Sequence, residues 1–215
     1  MSATLLGGIA GLALLDALNP ATIACVALLL VSPSRQPLRT AAAFVVGAYL
    51  TVLVLGVAVL GGAAALGDTA VVRRVGLTVA AALVLLSAAR RLRARHRAAV
   101  AMPSWVGPWT AVPLGVLVTG ADLPNAFPYL VAIERLVAAQ VTEGQALLVL
   151  AGYAAVYVLP CALLVAGAAL TWRRVRPRLE GLFARYGTAR DVPASRPAAA
   201  GLAVVGVGLL AFAWA

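Results

Sequence analysis

The chain has 215 residues, of which 63% are hydrophobic and 11% are charged, whereas a soluble domain carries about 25% charged residues. This composition excludes an ordinary soluble domain and predicts a membrane protein with several spans. The net charge of +10 comes from arginine, since the chain contains no lysine. With two cysteines and one histidine, the sequence predicts neither a disulfide framework nor a zinc site.

Six apolar segments are predicted to cross the membrane as helices, which makes the fold class all-α and polytopic. They are too long for barrel strands and lack a period of two. The first contains Asp16 and lacks a basic segment before it, so we expect a retained span rather than a cleaved signal peptide. The third, between Arg74 and Arg90, is short and requires snorkelling arginines or a thinner membrane. The predicted segments cover roughly residues 4–31, 40–66, 74–90, 105–133, 146–170 and 198–215.

The first and fourth segments contain the same Asp-x-x-Asn motif beside proline. The first copy is Asp16-Ala-Leu-Asn19-Pro20 and the second is Asp122-Leu-Pro124-Asn125. A carboxyl group in hydrocarbon costs at least about 2.5 kcal/mol on insertion scales. Because this cost is incurred twice with the same spacing, the motifs predict one site built from two related halves.

Each motif combines a carboxylate, an amide and a proline that interrupts a helix. Asp16 and Asn19 are three residues apart and are expected to share a helix face, while Pro20 removes a backbone donor. Such oxygen-rich positions suit protons, hard cations or polar headgroups. The alternative is that the aspartates cap helix breaks or pair with interior polar groups. The predicted substrate or coupling-ion site consists of Asp16, Asn19, Pro20, Asp122, Pro124, Asn125 and Pro128.

Other polar and small residues give weaker signals. Thr22 and Thr119 lie near the motifs, but threonines in membrane helices often bond their own backbone. Four tyrosines could line a pathway, although packing between helices is the commoner role of such tyrosines. Four glycines of the second segment are expected to permit close contact between helices. These are Tyr49, Tyr129, Tyr153, Tyr157, Gly47, Gly56, Gly61 and Gly62.

The arginine distribution predicts the orientation. Fourteen of the 17 arginines lie in the first, third and fifth loops, which are therefore expected in the cytoplasm, with both termini outside. The second half then starts on the opposite side from the first. Residues 1–104 and 105–215 are thus predicted to form two inverted three-helix repeats, a common transporter plan.

The second half contains a predicted basic cytoplasmic loop over residues 172–197. Within it, Leu179, Leu182, Phe183 and Tyr186 recur at helical spacing, which predicts a short helix lying on the anionic inner leaflet. A solvated basic loop is the alternative.

The segments Gly11–Ile23 and Asp122–Ile133 resemble the two signature segments of the GAP/Sap proteins. That actinobacterial family is named for addressing glycopeptidolipid or sulfolipid to the cell surface and belongs to the LysE transporter superfamily. The resemblance implies a six-helix inverted-repeat exporter in the inner membrane. It would move an envelope lipid or small polar solute, coupled to an ion gradient, as a homodimer or beside a partner exporter.

Two relatives within that wider group give alternative functions. Manganese exporters also place aspartates in both halves, so Asp16 and Asp122 could bind a divalent cation. Membrane electron carriers related to cytochrome c biogenesis use one cysteine in each half, which Cys25 and Cys161 resemble superficially. The chain has no nucleotide-binding loop and no hydrolase or metalloprotease motif, so we expect a non-enzymatic protein without cofactors and without nucleic-acid partners.

Overall fold

The computed structural model describes residues 1–32, 34–66, 69–97, 103, 105–122, 126–186 and 190–214. Within these ranges the chain forms eight helices and one pair of three-residue strands. In chain order they are α1 (Ala3–Ala17), α2 (Pro20–Val31), α3 (Pro37–Leu66), α4 (Thr69–Arg91), β1 (Arg95–Arg97), α5 (Pro108–Ala121), α6 (Phe127–Ala138), α7 (Glu143–Tyr186), β2 (Arg190–Val192) and α8 (Arg196–Trp214).

Three of the described helices, α3, α7 and α8, are long and apolar enough to cross a membrane. Helices α1 and α2 meet the same criterion together, bent by 51° at the break between them, so they make a fourth span if they cross as one unit. Outward-facing leucines such as Leu117 and Leu170, which are 70% and 85% exposed, suit a lipid-facing surface. The chain is therefore a multi-pass membrane protein, while six spans stay a prediction.

The predicted interruption of the first segment is confirmed. Helix α1 ends at Ala17 and α2 begins at Pro20, whose missing N–H costs nothing at the first helical position. Asn19 is the N-cap of α2, and its Oδ1 accepts from the N–H groups of Ala21 at 2.9 Å and Thr22 at 3.4 Å. The expectation that Asp16 and Asn19 share one helix face was wrong, because the break separates them.

The second motif also lies at a helix boundary. The predicted fourth segment is divided into α5 and α6, as expected of a proline-broken helix, and Asp122 is the C-cap of α5. Pro128 occupies the first turn of α6, where its missing N–H is again tolerated. Pro124 and Asn125 lie outside the described residues.

Helix α7 extends well beyond the predicted fifth span. It is kinked at Thr171, whose φ of −131° and ψ of 39° are not helical, and then continues through the arginine-rich segment to Tyr186. Much of the predicted 172–197 loop is therefore helical.

The apolar stripe on this basic segment does not lie wholly on the leaflet as expected. Leu179 is buried in a core cluster and Phe183 packs against the same cluster, while Leu182 is 52% exposed. The side chain of Tyr186 lies outside the described residues. The inner part of the stripe thus anchors the kinked end of α7 to the protein core.

Helices α3 and α7 form the centre of the molecule and run antiparallel. One core cluster joins Ala48 of α3 to Tyr153 of α7, and the other joins Phe44 to Cys161. Higher residue numbers in α3 therefore pair with lower numbers in α7. Helix α3 also packs on α5 and α6, and α7 packs on α1 and α2.

Helices α4 and α8 form a second antiparallel pair. At one end the guanidinium of Arg74 lies 5.6 Å from the centre of the Trp214 ring. At the other end the N–H of Ser195 donates to the carbonyl of Arg91 at 2.9 Å. Beside that bond β1 pairs antiparallel with β2, with His96 opposite Asp191. Three-residue strands within basic loops carry no periodic signal, so the sequence did not predict them.

Glycines set the close crossing of α3 and α5. A Cβ added at Gly47 would come within 2.2 Å of the Val112 carbonyl oxygen, and one added at Gly115 within 2.4 Å of the Phe44 carbonyl oxygen. A Cβ at Gly56 would meet Tyr129, whereas one at Gly61 or Gly62 would meet no described atom within 4 Å beyond its own stretch of helix. The predicted role in helix contact is confirmed for Gly47 and Gly56, whereas Gly61 and Gly62 make no such close approach within the described part of the chain.

Gly47→Ala should lower the free energy of unfolding by about 1–3 kcal/mol, the usual cost of overpacking, because backbone atoms of α5 cannot move aside easily. The matched control is Gly61→Ala on the same helix, which should be neutral or stabilising since alanine favours helix. Thermal unfolding of the purified protein in detergent measures both. Equal stability of the two variants would contradict the close α3–α5 crossing.

Candidate functional site

The two helix breaks meet in one place. Asp16 lies in the last turn of α1 and Asp122 at the end of α5. Both line an open crevice of about 290 Å³ together with Asn19, Pro20 and Pro128. The structure therefore brings together every described residue of the predicted site, although the motifs are 106 positions apart.

A side-chain hydrogen bond from Asn19 connects the two halves. The Nδ2 of Asn19 donates to Oδ2 of Asp122 and lies 3.4 Å from the hydroxyl of Tyr157. Because Oδ1 already accepts from the first turn of α2, the cap leaves the amide nitrogen to face the second half. One residue therefore stabilises a helix start and holds the carboxylate of the other motif.

Two tyrosines of α7 complete the polar cluster. Tyr153 and Tyr157 are four residues apart and share a helix face. The hydroxyl of Tyr153 lies 3.1 Å from Oδ2 of Asp16, to which it donates, and the hydroxyl of Tyr157 lies 3.1 Å from Oγ1 of Thr22. Both rings are buried. Helix α7 thus supplies hydroxyl groups to both ends of the first motif.

A small cavity behind the crevice has a volume of about 20 Å³. It is lined on its polar side by Asp16, Asp122, Thr119, Tyr129 and Tyr157. A buried cavity needs roughly 10–15 Å³ to hold one water molecule with two to four polar partners. This cavity, which both aspartates line, therefore has the size and the chemistry for one water molecule.

The hydroxyl of Thr119 adds support for an occupant of this cavity. Its Oγ1 is buried and makes no hydrogen bond of good geometry with any described residue, although Tyr157 lies beside it. A buried hydroxyl without a partner costs about 1–3 kcal/mol. A water molecule in the adjacent cavity would offset that cost.

Sequence reasoning ranked the aromatic part of the site too low. Tyr153, Tyr157 and Thr22 all contact the motifs. The available signal was the i, i+4 spacing of the two tyrosines on an apolar helix. Tyr129 lines the cavity but donates its hydroxyl to the Val52 carbonyl at 2.6 Å. Tyr49 packs against the core and lies outside the cluster, in keeping with a packing role.

The two aspartates also have structural roles, which was the alternative interpretation. Asp122 ends α5 and accepts from Asn19, and Asp16 accepts from Tyr153. In the described part of the chain no group of three or more His, Cys, Asp and Glu side chains could hold a metal ion. A cation at this site would therefore rely on amide and hydroxyl oxygens beside the two carboxylates.

The cysteines lie apart from this cluster. Cys25 on α2 and Cys161 on α7 are free thiols that belong to the same apolar cluster, and Cys161 is buried. Thiols in apolar surroundings are poor nucleophiles. Their setting favours packing over thiol exchange.

Comparison with known families gives a match over nearly the whole chain. The profile of the family "Sap, sulfolipid-1-addressing protein" matches residues 9–214, nearly the whole chain. The resemblance noted for the two motif segments is thereby confirmed. No match was found among curated proteins or among solved structures.

Asn19→Asp should keep the cap of α2, since Asp and Asn cap equally well, but it replaces the amide donor to Asp122 with a carboxylate. We expect a loss of about 1–3 kcal/mol in the free energy of unfolding, measured by thermal or denaturant unfolding in detergent. Asn19→Ala should cost about 0.5–2 kcal/mol more because the cap is lost too.

Ser2→Ala is the control, because the side chain of the exposed Ser2 caps α1 and accepts hydrogen bonds from Leu5 and Thr4 of that same helix. It should show the cost of a lost cap alone. Parent-like stability of Asn19→Asp would mean that the bond to Asp122 does not hold the halves together.

Proposed function

The chain belongs to the family of sulfolipid-1-addressing proteins, and from this we propose that it is a proton-coupled exporter of a cell-envelope lipid. One observation carries the proposal: carboxylates from two helix breaks, one in each half, line a common crevice and a common water-sized cavity. A site of this kind at paired helix breaks is the usual place for substrate and coupling ions in transporters.

The paired carboxylates offer a coupling mechanism. A proton taken up by Asp16 or Asp122 would neutralise charge in the cluster and favour one access state over the other. Tyr153, and a water molecule if one occupies the cavity, would provide hydrogen-bonded positions between the carboxylates and the crevice. A membrane potential supplies about 2.3 kcal/mol per charge per 100 mV, so export needs no ATP.

The walls of the crevice favour a lipid over a small polar solute. Beside the polar groups it is lined by Leu15, Leu18, Pro20 and Pro128. Leu15 and Leu18 are 66% and 71% exposed, which places apolar surface next to the carboxylates. A polar headgroup at Asp16 and Asp122 could thus have its acyl chains along the adjacent leucines.

We further propose that the two halves form an inverted repeat. Helix α3 packs on α5 and α6 of the second half, and α7 packs on α1 and α2 of the first. This reciprocal exchange, together with the antiparallel α3–α7 and α4–α8 pairs, is the pattern expected of halves related by a two-fold axis in the membrane plane. The repeat relates Asp16 to Asp122 and Asn19 to Asn125, and Pro124 lies between the two residues of the second motif. Asn125 and Pro124 therefore remain part of the proposed site.

The proposed setting is the bacterial inner membrane with both termini outside. The β1–β2 pair supports this orientation, since it holds the third and fifth loops at the same end of the molecule. Both loops are rich in arginine, as expected for the cytoplasmic side.

Export of a divalent cation such as Mn²⁺ is the second candidate. The observation in its favour is that both aspartates border one cavity of about 20 Å³ that also has hydroxyl groups in its lining. Metal hypersensitivity of a deletion strain, rescued by the parent gene but not by Asp16→Asn, would place this function above lipid export.

Asp16→Asn and Asp122→Asn should each insert and fold, because removing an intramembrane charge lowers the cost of insertion and asparagine keeps a side-chain acceptor for Tyr153 or Asn19. Each should lose export, since asparagine cannot take up and release the coupling proton. The measurement is mass spectrometry of surface-extracted lipids from a deletion strain complemented with each variant. Glu143→Gln is the matched control, because Glu143 is an exposed carboxylate outside the site. Parent-like export by both aspartate variants would exclude this mechanism.

Cysteine labelling tests the orientation. In a Cys25→Ala, Cys161→Ala background, Arg93→Cys and Ala139→Cys provide exposed reporters in the third and fourth loops. A membrane-impermeant maleimide should label the first only in inside-out vesicles and the second only in right-side-out vesicles. The reverse labelling pattern would mean that both termini lie in the cytoplasm, opposite to the proposed orientation.

The same background tests electron transfer. It should retain the lipid phenotype, because the thiols lie in an apolar cluster away from the carboxylates. Loss of function on removal of both thiols would favour the electron carrier.

A further inference from the structure

A second pocket of about 690 Å³ lies where the first loop meets the kinked end of α7. Its polar lining includes Ser34 and Gln36 and three arginines, Arg35, Arg39 and Arg176. None of these residues belongs to the Asp-x-x-Asn site. The pocket is at the end of the molecule that carries the arginine-rich loops.

The charge balance of the pocket is strongly positive. Glu180 pairs with Arg176 at 2.7 Å, but it is not among the lining residues, none of which is acidic. Within the described ranges Arg35 makes no ion pair, and the Arg39 guanidinium donates only to the neutral Gln36 side chain at 3.3 Å. Two guanidinium groups therefore remain without a carboxylate partner.

The start of α3 adds backbone donors to this charge. Pro37 begins the 30-residue helix, and the N–H groups of Leu38 and Arg39 precede the first intrahelical bond, which Thr40 makes to the Gln36 carbonyl. The positive end of the helix dipole points the same way. Guanidinium groups and free N–H groups at a helix start together form a typical site for a phosphate or sulfate.

The kink at Thr171 builds the other wall. It brings Trp172 and Arg176 to the first loop, with the Arg176 guanidinium 5.8 Å from the centre of the Trp172 ring. Leu38 lines the pocket as well, and the nearby Leu170 is 85% exposed. The basic cavity therefore has an apolar border and adjoins lipid-facing surface, which a free ion would not require.

We propose that this pocket binds the phosphate or sulfate headgroup of an acidic membrane lipid. Arg35, Arg39 and the start of α3 hold the anionic oxygens, while Trp172 and Leu38 contact the apolar part below the headgroup. The site differs from the carboxylate site in charge, position and ligand. It does not depend on the transport mechanism proposed above.

Fluorescence of Trp172 tests the proposal. A full-length protein with Trp105, Trp109 and Trp214 changed to Phe has Trp172 as its single reporter, and is placed in phosphatidylcholine nanodiscs. Increasing amounts of phosphatidylglycerol with brominated acyl chains should quench Trp172 at a mole fraction several times lower than brominated phosphatidylcholine does. The variant Arg35→Gln/Arg39→Gln should raise the half-quenching fraction of the acidic lipid roughly tenfold or more.

Arg173→Gln/Arg174→Gln is the matched control, because it removes two exposed arginines beside Trp172 that do not line the pocket. It should change the half-quenching fraction less than twofold. An equal effect of the two double variants would mean that acidic lipid is attracted by the general positive charge of the surface. That result would disprove a specific headgroup site in the pocket.

Inorganic phosphate and sulfate, added at constant ionic strength, distinguish a lipid headgroup from a free anion. Neither should relieve the quenching at millimolar concentration. Relief by either ion, with equal quenching by the two brominated lipids, would identify a free-anion site instead.

Discussion

The structure depends on how the polar groups of the helix breaks are satisfied away from water. Ending α1 at Ala17 frees carbonyl groups, and starting α2 at Pro20 frees N–H groups, each costly to bury without a partner. Asn19 provides the caps for α2 and uses its remaining donor on Asp122. Because the partner belongs to the other motif, local helix capping and the association of the two halves become a single requirement.

Helix α7 has two separate tasks that depend on the same continuous segment. Before its kink, Tyr153 and Tyr157 supply hydroxyl groups to the carboxylate cluster. After it, Leu179 and Phe183 fix the basic end against the core. The bend at Thr171 therefore connects a polar site among the helices with an arginine-rich surface at one end of the protein. An ordinary loop after residue 170 would have left these two regions independent.

Much of this arrangement was readable from the sequence, for physical reasons. Paired Asp-x-x-Asn motifs in apolar segments identified the helix breaks, since carboxylates and prolines are rarely tolerated there without a role. The convergence of Asp16 and Asp122 also followed from the matching halves. The position of Asn19 beyond the end of α1 did not, because a proline marks a helix interruption without fixing the residue at which the preceding helix ends. The continuation of α7 past residue 170 was not predicted, because the arginines suggested a loop that contains a separate short helix. Buried apolar residues on one face instead keep this segment joined to α7. The β1–β2 pair depends on tertiary proximity of distant loops, which no local pattern records.

The small β1–β2 pair restricts how the molecule can move. It fastens α4 to α8 at the end where Arg91 and Ser195 meet, whereas the opposite end is held by the contact of Arg74 with the exposed Trp214 ring. Backbone pairing resists separation far better than a single exposed cation–π contact of about 0.5–1 kcal/mol. The α4–α8 pair is therefore held more firmly at the arginine-rich end than at the Trp214 end. Because Gly206 of α8 also packs on Leu85 of α4 between the two ends, separating these helices costs least at the Trp214 end and most at the arginine-rich end.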